Sequence, residues 1–474
     1  MTDAVFFMPA HALLAAYRAG DLEPVGLVAA HLVRAERLQP SLNAFMSLDP
    51  DGATKAAAAA AARWAKKRPL GPLDGVPITI KDIVDVAGTP NRSGSLTGAP
   101  GLAAADAPAV ARLREAGAII IGKTTTPEFG WKGITDGPLF GTTRNPWNTG
   151  HSPGGSSGGA GASLAAGIGA FAFGNDGGGS IRIPASYSGV VGFKPSFGRV
   201  PHGPQASAFA TLVSGGPLAR DVADAALALN VLAQPDPRDA FALPHERRDW
   251  RQALVGGVKG LRIAWTTELG EADCEAEVAT AVAAAVGRLE GLGATITRVG
   301  PIFPALRPLF EDYWLAGFAA TLRTVAEAER NLLDPGFRAV AERGLSVGVE
   351  ALEAGIVARA TLTETMNHFH QDFDVLLTPT MPTLPPPADT VYHSQGFDRW
   401  RHAVPFTVPF NLTGQPAASL PCAVSASGLP IGLQIVGPRH GDALVLRVAS
   451  AIEAALAFPH PHPLLQEALA ALSG

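Results

Sequence analysis

Cysteine is nearly absent: Cys274 and Cys422 are the only two in 474 residues. Two thiols so far apart make neither a CxxC metal site nor a disulfide framework, and they suit a reduced, cytoplasmic setting. Long apolar runs are missing too. No stretch reaches the roughly 18 consecutive apolar residues that a membrane-spanning helix needs. The first residues, Met1-Thr-Asp-Ala-Val, carry an acid where a secretory leader carries basic residues. Charge of one sign is lacking as well. Lys and Arg number 37 against 42 Asp and Glu, a net charge of −5, so no basic field exists to hold nucleic acid. These absences point to a cytoplasmic protein that acts on a small molecule, with neither nucleic acid nor membrane as partner.

Glycine, by contrast, is abundant and unevenly placed. Of 53 glycines, 12 fall between Gly150 and Gly179. In that stretch backbone geometry, rather than side-chain packing, is being specified. Around it the pattern alternates. Residues 8–37 have helical spacing broken at Gly20 and Pro24, and Asp51 is placed to cap a third helix. Val76–Lys81 and Ala118–Ile121 are short β-branched runs, with a helix near Ala109–Ala116 between them. Leu261–Trp265, Phe373–Thr378 and Leu433–Val436 read as further strands. Residues 219–233, 275–292 and 441–456 read as helices, and 305–370 as a mostly helical excursion. This predicts an α/β fold, a large mixed β-sheet flanked by helices on both faces. One domain spans residues 1–474, with its core region at 66–200 and the helix-rich excursion at about 300–370.

Two motif matches fail on physical grounds. Gly117–Thr124 fits the phosphate-loop pattern letter for letter, but its variable positions, Ala-Ile-Ile-Ile, form a buried strand rather than an amide-lined loop. Pro127 also disfavours the helix that must follow. Gly154-Gly-Ser156-Ser-Gly158 fits the nucleophile elbow of α/β-hydrolases, yet Asn145–Pro153 reads as loop where that motif needs a strand.

Three other pieces carry chemistry. Lys81 ends an apolar strand, where burial favours the neutral amine, which is a base. Ser156 and Ser157 lie among paired glycines. Ser180 follows Gly177, Gly178 and Gly179, whose successive amides can converge on one spot and build an oxyanion hole together with the amide of Ser180.

In this order and with these flanks, Gly-Gly-Ser-Ser-Gly-Gly and Gly-Gly-Gly-Ser-Ile-Arg-Ile-Pro, with a lysine upstream, resemble the amidase signature family. The likeness extends over Gly75–Val86, Gly122–Gly130, Pro138–Trp147, Asp374–Pro382 and Phe410–Val436. It implies a catalytic triad: Lys81 as base, Ser156 on a cis peptide as relay, and Ser180 as nucleophile, 24 positions after the relay. It implies that Ser157, Asp176 and Arg182 brace the loop. One departure is Asn175, where many members have Ser or Thr. The activity implied is hydrolysis of a carboxylic amide through an acyl-enzyme, with no metal and no cofactor. The same triad also serves an esterase or the glutamine-hydrolysing subunit of a transfer-RNA amidotransferase. Many members form homodimers, an arrangement the resemblance allows here. Arg182 has a second reading: in an extended segment it would share a face with Ser180 and clamp a substrate carboxylate. Thr126, Trp131, Phe140 and Trp400, with Trp314 and Phe406, are candidates to line a substrate pocket, and an aromatic lining would suit an aryl or alkyl amide.

Overall fold

The computed structural model describes residues 3–98, 101–203, 208–269, 274–304, 306–390 and 404–473. Thirteen strands are present among them: β1 (Phe45–Leu48), β2 (Pro77–Lys81), β3 (Ile119–Thr124), β4 (Asp136–Gly137), β5 (Gly141–Thr142), β6 (Phe171–Asp176), β7 (Val191–Lys194), β8 (Ser214–Ala219), β9 (Arg262–Trp265), β10 (Thr295–Arg298), β11 (Val375–Pro379), β12 (Ala417–Val424) and β13 (Pro430–Val436). Eleven of them form one mixed sheet in the order β1-β3-β2-β6-β8-β7-β12-β13-β11-β9-β10, while β4 and β5 pair as a small separate hairpin. This is the large mixed α/β sheet that the alternating pattern predicts.

The register explains where the chemistry sits. β2 runs parallel to β3 on one side and to β6 on the other, with Ile78, Thr79 and Ile80 opposite Phe171, Ala172 and Phe173. All five residues of β2 are buried, as an inner strand covered on both faces requires. The carboxyl ends of two adjacent parallel strands therefore deliver Lys81 and Asn175 to the same place, the usual position of a site on an open α/β sheet.

The phosphate-loop match is overturned as predicted. Ile119–Thr124 is fully buried strand, and it leads to a short 3-10 turn at Glu128–Gly130 rather than to a helix. Lys123 Nζ lies 3.6 Å from Asp82. Asn145–Pro153 holds no strand, so the elbow match fails as well. One cap differs from expectation. The third helix, Pro50–Ala65, is capped by Asp49, whose side chain accepts from the Gly52 amide, and Asp51 lies inside the first turn.

Six strands of the main sheet escape the sequence pattern: β1, β6, β7, β8, β10 and β12. β8 reads Ser-Gly-Gly-Pro-Leu-Ala, a composition that signals a loop. It nevertheless runs antiparallel to both β6 and β7 in the middle of the sheet. Its glycines have a steric reason: a Cβ on Gly216 would stand 2.3 Å from the Phe193 carbonyl oxygen. Close backbone approach outweighs intrinsic strand preference here.

Candidate active site

The two serines arrive on loops that each open a helix. Ser156 precedes the helix Gly158–Ala165, and Ser180 precedes the helix Arg182–Ser188. The Gly155–Ser156 peptide is cis. Gly155 is fixed by contact, since a Cβ there would meet the Ile134 carbonyl oxygen at 2.6 Å. The two loops are tied together: the Ser157 amide donates to the Ser180 carbonyl at 3.2 Å, and Ser157 Oγ donates to the Asn175 carbonyl at 3.5 Å.

Lys81 is completely buried, and its Nζ donates to Ser156 Oγ at 2.7 Å and to Asn175 Oδ1 at 2.7 Å. Burial pulls its ammonium down to about 7, against the opposing pull of nearby Asp176. Ser156 and Ser180 line one cavity of about 280 Å³. Ser156 is buried and Ser180 half-buried. Among the described residues, Ser180 Oγ has no hydrogen-bond partner.

The glycine run before Ser180 divides its labour. The Gly179 amide donates to Asp176 Oδ1 at 2.7 Å, so it is committed to the loop and is not a free donor as the sequence suggests. Among the described residues, the amides of Gly177, Gly178 and Ser180 have no acceptor and remain available. Gly179 has φ +129°, and a Cβ on it would lie 2.6 Å from Thr407 Oγ1 and 2.8 Å from Ile183 Cδ1, so only glycine fits.

Asp176 and Arg182 brace this turn. They form a bidentate pair with both contacts at 2.9 Å, and both side chains are wholly buried. The remaining guanidinium hydrogens go to the Thr407 carbonyl, Gln434 Oε1 and Asn411 Oδ1, so all five N–H bonds have acceptors. The carboxylate-clamp reading of Arg182 is thereby corrected: it starts a helix rather than continuing a strand, and no donor is left for a substrate. Burial alone would raise the Asp176 carboxyl, but Arg182, Lys194 and Asn411 hold it well below the usual carboxylate range.

The cavity wall is aromatic. Phe310, Trp314, Gly317, Phe318 and Thr321 lie along one helix, Arg307–Thr324, opposite Phe129, Phe209, Ile183 and Val213. Phe310 and Trp314 stack at 6.0 Å, Trp314 meets Phe318 edge-on at 5.2 Å, and Phe209 lies 5.8 Å from Phe318. Phe129 is anchored from behind. Neighbouring Glu128 accepts from Ser95 Oγ at 2.5 Å and from the Asp334 amide at 2.6 Å, and burial pushes its carboxyl up to about 7.

Of the pocket residues expected from sequence, Trp314 is on the wall. Thr126 and Trp131 are buried elsewhere in the core, and Phe140, half-buried, does not reach the cavity. Phe406 is likewise fully buried away from it, and Trp400 lies outside the described residues. The residues that sequence reasoning missed are Thr407, Asn411 and Gln434, the contact of Asn175 with Lys81, and Phe310 and Phe318 of the aromatic face. That face has a sequence signal, an i, i+4, i+8 aromatic stripe, and such a stripe usually marks ordinary core.

A family model described as "Amidase" matches residues 26–446. The chain is 37% identical over 458 residues to an acylamidase of Rhodococcus erythropolis, covering 94% of this chain and 95% of that protein. It is 38% identical over 457 residues to an indoleacetamide hydrolase of Bradyrhizobium diazoefficiens, covering 93% and 84%. It is also 36% identical over 463 residues to a glutamyl-tRNA(Gln) amidotransferase component of Chloroflexus aurantiacus, covering 93% and 94%. Among solved structures it is similar to a bacterial aryl acylamidase of the amidase signature family, with a TM-score of 0.90, 30% identity and coverage of 100% and 99%.

Proposed function

The chain belongs to the amidase signature family of amide-hydrolysing enzymes, and on that premise we propose that it cleaves a small, uncharged, aryl- or alkyl-bearing amide through an acyl-enzyme on Ser180. The observation that carries this reading is the 2.7 Å contact between buried Lys81 and Ser156, beside a Ser180 hydroxyl free to react in the same cavity. A serine hydroxyl is a weak nucleophile until a base takes its proton. Neutral Lys81 receives the Ser156 proton as Ser156 receives that of Ser180. The Ser180 Oγ–carbon bond forms, and the carbonyl electron pair moves to oxygen. That oxyanion rests on the free amides of Gly177, Gly178 and Ser180. Collapse breaks the carbon–nitrogen bond, and the proton returns from Lys81 through Ser156 to the departing amine. Water then releases the acid by the same route. Every group used comes from one chain, and the two free thiols support a reducing, cytoplasmic setting.

This predicts a pH profile. Protonated Lys81 cannot act as base, so kcat/KM falls about tenfold per pH unit below the lysine's value of about 7 and levels off above it. Lys81→Ala removes that limb along with most of the activity. A profile flat from pH 8 down to 5 sinks the assignment of the base.

The cavity sets the substrate class. At about 280 Å³ it lies at the small end of ligand sites, and its described lining carries no carboxylate, lysine or arginine side chain. Glutamine would bring a carboxylate and an ammonium against a described lining in which His202, lowered by burial, is the one imidazole and no carboxylate, lysine or arginine side chain is present, at a cost of several kcal/mol. We expect neutral aryl and alkyl amides to exceed glutamine by at least about 100-fold in kcat/KM. A panel of amides, glutamine and matching esters checks this. Glutamine as the best substrate would favour the amidotransferase reading, and esters turned over without amides would favour the esterase.

A further inference from the structure

Asn175 makes one of two hydrogen bonds to the buried Lys81 amine. The bond is short, 2.7 Å, and β6 fixes its origin beside the end of β2. We propose that Asn175 is a positioning residue: its side-chain oxygen takes one hydrogen of the Lys81 amine, so that the lone pair is kept for Ser156.

A neutral primary amine has two hydrogens and one lone pair, and rotation about Cε–Nζ decides which of them faces each neighbour. Among the described residues two neighbours lie within hydrogen-bond reach of Lys81 Nζ, Ser156 Oγ and Asn175 Oδ1, each at 2.7 Å. A carboxamide oxygen accepts and cannot donate. The rotamer that spends the lone pair on this neighbour is therefore excluded. A hydroxyl at 175 could donate its own proton to the amine and compete with Ser156. A carboxylate would accept as well as Asn175 does, but its charge would hold the lysine protonated. The carboxamide combines acceptance with neutrality. It also remains a partner once Lys81 has taken the proton and is an ammonium.

The other charged and titratable groups around Lys81 are few. Asp176 follows on β6 and is bound up with Arg182, and Asp82, next along the chain, lies 3.6 Å from Lys123. His202, on the loop after β7, shares the cavity, where burial and then Lys81 lower it against the opposing effect of Asp239. Asn175 is thus the neutral acceptor that orients Lys81.

The inference rests on Lys81 being the base, and kcat/KM against pH for four proteins separates the two claims. In Asn175→Asp the acid limb moves up by about one to three pH units, because an adjacent carboxylate stabilises the ammonium. Activity returns toward wild type once the pH exceeds the new limb. In Asn175→Ala the limb does not rise, and kcat falls about 10- to 100-fold with little change in KM, the cost of a misdirected base. A wild-type limb in folded Asn175→Asp overturns the proposal. Should that variant not fold, wild-type kcat in folded Asn175→Ala overturns it alone. Lys81→Ala is the discriminating control. If it keeps the wild-type profile, the base is misassigned and both claims fall. If it is inactive while the Asn175 variants behave as wild type, only the role of Asn175 falls.

Discussion

Ser180→Ala is expected to lower kcat by about 10⁶-fold, close to what removal of a serine nucleophile costs elsewhere, with KM little changed. The size follows from what is lost. Without Oγ no acyl-enzyme forms, and the surviving catalysis comes only from the free amides of Gly177, Gly178 and the residue at 180, acting on direct attack by water. The fold should be untouched, because Ser180 Oγ has no hydrogen-bond partner among the described residues and alanine fits the same space. Ser156→Ala should cost less, about 10²–10⁴-fold, since it interrupts proton transfer but leaves the attacking oxygen in place. Equal losses from the two, or a milder loss from Ser180→Ala, would contradict the division of roles. Single-turnover kinetics on purified variants decide it, with circular dichroism to verify folding.

Arg182→Met is expected to destabilise the protein by about 3–5 kcal/mol, because it leaves the Asp176 carboxylate buried and without its cation. Asp176 then loses two of its charge-assisted bonds, and Thr407, Gln434 and Asn411 lose a donor at once. The sign with pH is definite. The folded Asp176 carboxyl is held below its unfolded value, so the pair stabilises the protein above about pH 4 and the contribution is lost as pH falls further. Removing both charges with Arg182→Met and Asp176→Asn should recover part of the loss, since no bare charge remains. Activity should not recover with it, because both Asp176 oxygens accept from the amides of this turn, Gly179 on one and Ile181 and Arg182 on the other, and a carboxamide keeps only one acceptor oxygen. Denaturant midpoints of the single and double variants at pH 7 check this. A single variant as stable as wild type would mean that the ion pair does not hold the turn.

The residues that meet at the site were legible because their constraints are local. A lysine ending a buried strand, paired glycines around Ser156 and three glycines before Ser180 each leave a pattern in contiguous sequence. The sheet was legible only in part. β2, β3, β9, β11 and β13 carry apolar or β-branched runs, whereas β8 is Gly-Gly-Pro within a six-residue strand and is made a strand by its neighbours on both sides. Of the aromatic wall only Trp314 was legible, and the rest was hidden for another reason. Phe310, Trp314 and Phe318 lie more than 100 positions after Ser180, and nothing in their spacing distinguishes a cavity face from a core face. Asn175 was visible as a departure, but its contact with Lys81 depends on the parallel register of β2 and β6. Gly179 illustrates the converse error. It sits among glycines whose amides are free, yet its own amide is taken by Asp176, a pairing that only the turn's geometry reveals.

The most direct test of the central claim is where a covalent serine probe lands. Treatment with a small alkyl or aryl fluorophosphonate, tryptic digestion and fragmentation of the peptide spanning residues 145–182 distinguishes Ser156 from Ser180. One adduct is expected, on Ser180, absent from Ser180→Ala and formed more slowly as pH falls below about 7. An adduct on Ser156 that persists in Ser180→Ala would contradict that claim.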